Sequence, residues 1–133
     1  MEFIKIQNSD KIVRIKITIE CAGPYEYIYT ISTGNSINYS STEKPPKPFP
    51  HNYVIGVGSS LVLINNHWNN WDFKLINPAD QDLDYIVYIE WYQDDNDNNP
   101  IYTWPQDEKL RKGIIKSSDN HIELSESCIY KPI

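Results

Sequence analysis

Methionine occurs once, at position 1, and cysteine only twice, at Cys21 and Cys128. The cysteines show no Cys-x-x-Cys spacing, and His51, His67 and His121 show no His-x-x-x-His spacing, which excludes the familiar zinc-ligand patterns. In a reducing compartment the two thiols default to free cysteines, with a disulfide as the alternative. Long apolar runs are missing too: none approaches the ~18 residues that span a bilayer. The opening "MEFIKIQNSDK" lacks the apolar core and cleavage site of a secretory signal. The expected location is the cytoplasm, or release without a signal peptide, with no membrane insertion. In that setting the sequon Asn38-Tyr39-Ser40 reads as chance.

Basic residues are absent from one stretch. Residues 75–108 hold nine acids and no Lys or Arg, while the rest carries a net +3, giving −6 for the chain. Phosphate-backbone binding needs clustered Lys and Arg, so no nucleic acid is expected as partner. Anionic membrane surfaces are disfavoured for the same reason. Cations, neutral ligands and basic proteins stay open.

Catalytic motifs are also lacking. There is no Gly-x-Ser-x-Gly elbow. "GVGSS" has no Lys and reads as a strand-turn-strand connection, not a phosphate loop. Either cysteine would need a base and an electropositive setting to act as nucleophile. Glu90, between Ile89 and Trp91, is either a desolvated carboxylate or a residue facing solvent. An enzyme is the last of the readings.

What the chain has is isoleucine, ten Tyr and four Trp, a mix that fits pleated, half-buried surfaces. Its 133 residues make one domain, 1–133, able to bury roughly two thirds of its unfolded surface. "KIVRIKITIEC" alternates, with Val13, Ile15, Ile17, Ile19 and Cys21 on one face. After the Gly23-Pro24 turn, "YEYIYTIS" places Tyr25, Tyr27, Tyr29 and Ile31 together, and the two runs read as a hairpin. Residues 33–50 read as irregular; Pro45, Pro46, Pro48 and Pro50 make a stiff loop or a proline-rich ligand. "YVIGVG", "SLVLI", "WDFKLI", "DYIVYIEWY", "IYTW", "GIIKSS" and "HIELSESCIY" read as strands. "PQDEKLRKG" is the single helical candidate, about two turns long. The expected fold is an all-β antiparallel β-sandwich of about nine or ten short strands with at most one short helix, a barrel being the alternative.

The acidic turn "DDNDNNP" fails as an EF-hand, because Asn99 stands where Gly is needed and Pro105 where Glu is needed. The other acidic loop, "NPADQDLD", lies a strand of ~26 Å away and cannot share its ion. Alternating connections would instead gather the loops near 33–51, 65–70 and 93–99 at one end. The candidate ligand-binding residues there are His67, Trp68, Asn69, Asp94, Asp95, Asp97 and Asn99, with Asp94, Asp95 and Asp97 able to hold calcium. No other cofactor is expected. The leading function is non-catalytic recognition of a glycan or protein surface, with calcium assistance one option.

The second row of "DYIVYIEWY" offers Tyr88 and Tyr92, with Ile86, as an interface for a partner or for self-association, unless another sheet covers it. "YIVYIEWYQDD", the acidic turn and "YTWP" together resemble the end of bacterial inclusion-body proteins of the AidA/PixA type, over residues 85–105. That resemblance implies self-assembly. A third reading is a small acidic inhibitor or immunity protein presenting residues 75–108 to a basic partner.

Overall fold

The structure, a computed structural model, describes residues 1–7, 12–21, 26–33, 38–43, 51–59, 63–64, 69–78, 80–93, 99–117 and 121–133. Ten strands run through it: β1 (Glu2–Ile6), β2 (Ile12–Cys21), β3 (Glu26–Thr33), β4 (Asn38–Glu43), β5 (His51–Ser59), β6 (Asn69–Ile76), β7 (Leu83–Gln93), β8 (Tyr102–Trp104), β9 (Lys112–Ile115) and β10 (His121–Pro132). The helical candidate shortens to a 3₁₀ turn over Glu108–Arg111, started by Asp107, whose side chain accepts from the Lys109 N–H.

Two sheets pack face to face, as expected for a sandwich. One has the order β1-β10-β6-β3-β4; the other runs β5-β2-β7-β8, with β9 also pairing β7. β8 and β9 follow one another along the same edge of β7, β8 opposite Ile89–Trp91 and β9 opposite Leu83–Ile86. They form one edge strand interrupted by the 105–111 turn. Arg111 holds that turn by donating to the carbonyls of Pro105 and Gln106 at 2.7 and 3.3 Å.

Several expectations change. β2 and β3 do not form a hairpin: β2 pairs with β5 and β7, and β3 pairs with β4 and β6 in the opposite sheet. The stretch read as irregular contains β4, whose "NYSSTE" has no apolar alternation to announce it. Within "SLVLI", Leu63 and Ile64 are not strand. Cys128 is a free, buried thiol in the first sheet, while Cys21 sits opposite Tyr85 at the far end of the second.

The core follows period-two rows. Val13, Ile15, Ile17 and Ile19 face inward from β2, and Val87, Ile89 and Trp91 from β7. Trp71, Phe73 and Leu75 answer from β6, Tyr29 and Ile31 from β3, Ile4 and Ile6 from β1. Each such side chain contributes about 1.5–3 kcal/mol by leaving water. Trp71 lies edge-on to Trp91 and to Trp104, each with ring centroids 5.3 Å apart, joining the sheets through aromatic contacts.

Candidate binding cleft at the open edge

Of the residues singled out in the sequence, His67, Trp68, Asp94, Asp95 and Asp97 lie outside the described residues. Asn99 is described and exposed. Asn69 is buried in the core, its amide donating to the Tyr130 hydroxyl at 2.7 Å. Trp91 Nε1 donates to the same hydroxyl at 3.1 Å, and Gln93 exchanges two 2.8 Å hydrogen bonds with the Gln7 backbone. β6 therefore starts where β7 finishes, so the strand ends flanking 65–68 and 94–98 share one end of the sandwich. His51 does not: the extra strand β4 reverses the count, and His51 opens β5 opposite Ile19, at the other end. Among the described residues, no group of three or more His, Cys, Asp and Glu could hold a metal ion.

The tyrosine row also has a definite setting. Tyr92 is 7% exposed, and its hydroxyl donates to Glu90 Oε2 at 3.0 Å. Tyr88 is half-buried, with the Arg111 guanidinium 5.9 Å from its ring centre. Tyr29 faces the core from the other sheet, so it does not extend this row. Glu90 stands opposite Lys16 on the outward row.

A different concavity gathers polar groups with aromatic ones. A cleft of about 610 Å³ opens between the two sheets beside the interrupted edge strand. That volume suits a ligand site, for which roughly 300–1,000 Å³ is usual. Leu124 and Glu126 of β10, with Glu2 of β1, form one wall; Tyr85 and Trp104 form the other, and Lys109 and Lys112 stand on its rim.

The two carboxylates occupy unusual register positions. In β10 the inward row reads Ile122, Leu124, Glu126, Cys128, Tyr130, and in β1 it reads Glu2, Ile4, Ile6. Charges thus stand where the alternation supplies core residues further along. Glu126 accepts the Ser127 N–H at 3.0 Å and lies 3.1 Å from the Met1 ammonium; the first and then the second hold its pKa below the usual value. Its carboxylate is therefore ionised at neutral pH. Burial foremost, then a hydrogen bond to the Glu2 carboxylate, pushes Tyr102 far up. Tyr85 is raised by burial, and its ring lies across Gly113, its partner on β9.

Neither Glu2 nor Glu126 was singled out in the sequence. The signal that could have found them is the acid inside an apolar alternation, in "EFIKI" and in "HIELSESCIY". The convergence of these two segments with "YTW" depends on sheet packing, which local pattern does not carry.

No known family model matches this chain, and no curated protein matches it. Among solved structures it is similar to a domain of unknown function, DUF4425, from Bacteroides vulgatus. That likeness is at 8% identity and a TM-score of 0.44, covering 94% of this chain and 99% of that one.

Proposed function

We propose that the protein is a non-catalytic recognition module whose lateral cleft takes a basic side chain from a protein partner. The observation that carries this reading is the pair Glu2 and Glu126 on inward-facing rows, in one cleft with Tyr85 and Trp104. Carboxylates facing aromatic side chains across a partly desolvated cleft suit an ammonium or guanidinium. The carboxylates give charge-assisted hydrogen bonds, and the ring faces add cation–π attraction. Lys109 and Lys112 on the opposite rim favour a partner segment that also carries an acid or hydroxyl group. The net charge of −6 draws a basic partner in.

The test is an NMR titration of the labelled protein with N-acetyl-lysine amide, using the side-chain-acetylated form as neutral control. The charged probe should shift the Trp104 indole N–H and the Glu126 and Ser127 amides. Those shifts should shrink in high salt and disappear in Glu126→Gln. Equal shifts with the neutral probe, or undiminished shifts in the variant, would overturn the reading.

A further inference from the structure

We propose that the outer face of the β10-β6-β3 sheet is a second binding site, for a neutral glycan chain. It rests on six side chains that do not line the cleft, although Glu126 borders both hollows. Two rungs cross these strands in register: Ser125–Asp72–Thr30 and Ser127–Asn70–Ser32. All six are outward positions, and all six line one shallow depression of about 380 Å³. The backbone register continues into β4 at Ser40 and Asn38.

A polar outer face is ordinary for a sandwich sheet, but two of the residues on this one are not. Exposed strand positions favour β-branched and aromatic side chains, and Asn and Asp are disfavoured there. Asn70 and Asp72, on the same outward row of the central strand β6, break that preference. Departures of this kind concentrate at functional surfaces. The chemistry selects the ligand. The six supply hydroxyl, amide and carboxylate groups at ~4.8 Å from strand to strand, a grid of donors and acceptors for successive sugar hydroxyls. Ser and Thr side chains carry little conformational entropy, so ordering them on a ligand costs little. Asp72 is the one ionisable member, and the Ser125 hydroxyl donates to it. No cation among the six would meet phosphate, sulfate or a uronate, and no apolar side chain among them would meet a lipid or a hydrophobic protein patch.

Isothermal titration with three neutral hexasaccharides, cellohexaose, mannohexaose and xylohexaose, tests this, with light scattering alongside. At least one should bind. Asn70→Lys, which lays a long charged chain across an exposed rung position, should weaken that binding about tenfold or more. Asp72→Ala, also at an exposed position, should weaken it independently. Glu2→Gln, in the cleft and outside this depression, should leave it unchanged, so failure here and failure of the cleft are separable. No binding of any of the three would overturn the proposal, as would binding that survives both rung variants. A dimer dispersed by Asn70→Lys would overturn it too, showing a second copy as the occupant.

Discussion

At the residue scale, Tyr130 has a disproportionate role. Its buried hydroxyl accepts from Asn69 of β6 and from Trp91 of β7, linking three strands in two sheets through one oxygen. Desolvation drives its pKa well above the ordinary value, so it stays a neutral phenol. Tyr130→Phe keeps the ring and removes the acceptor, leaving two donors buried without it. Each such group costs about 1–3 kcal/mol. The expected loss is about 3 kcal/mol in urea unfolding at unchanged slope. A loss well under 1 kcal/mol would mean that both donors find other acceptors. Asn69 was legible as polar but not as buried. Its neighbours "NNHWNN" read as a turn, and only the partner on the neighbouring strand β10, Tyr130, explains an amide there.

At the element scale, alternation located most strands and told which side chains share a face. Val13 to Ile19 and Val87 to Trp91 are core rows as the pattern indicates. Period two does not say which sheet a strand joins, which is why β2 and β3 resemble a hairpin yet separate into opposite sheets. β4 was invisible because Ser, Thr and Asn fill its register, and the same choice of residues builds the outer polar face. The edge strand formed by β8 and β9 has its own check. A Cβ at Gly113 would run into the outer ring atoms of Tyr85. Gly113→Ala should therefore push that ring aside and lower stability by about 1 kcal/mol, read by thermal denaturation. A stabilised variant would show that the ring does not lie there.

At the scale of the whole molecule, the titrating groups divide by direction. Tyr29, Tyr85, Tyr102 and Tyr130 are raised, chiefly by burial, and the Cys128 thiol is pushed up to about 12. Raised acids stabilise the fold below their unfolded values, ~8.5 for Cys and ~10 for Tyr, and lose that contribution as pH climbs towards the folded values. Stability should hold to about pH 8.5 and fall above it, with these tyrosines showing no tyrosinate absorbance until the chain unfolds. Asp82, which accepts the Ser117 N–H, and Glu126 are lowered, so their contributions exist above ~4 and vanish as pH falls through the folded values. Early tyrosinate absorbance from any of these four in the still-folded protein, read as the difference from its Tyr→Phe variant, would contradict the alkaline half. The cleft was legible only piecewise, because Glu2 and Glu126 lie 124 positions apart and meet through tertiary packing alone.

One pairing governs how this domain would bear a mechanical load. β1 and β10 lie side by side and parallel, Glu2 beside Cys128 and Ile6 beside Pro132. Tension applied between residue 2 and residue 132 pulls the two strands along their length in opposite senses. The hydrogen bonds between them are then strained together, in shear, instead of peeling one at a time.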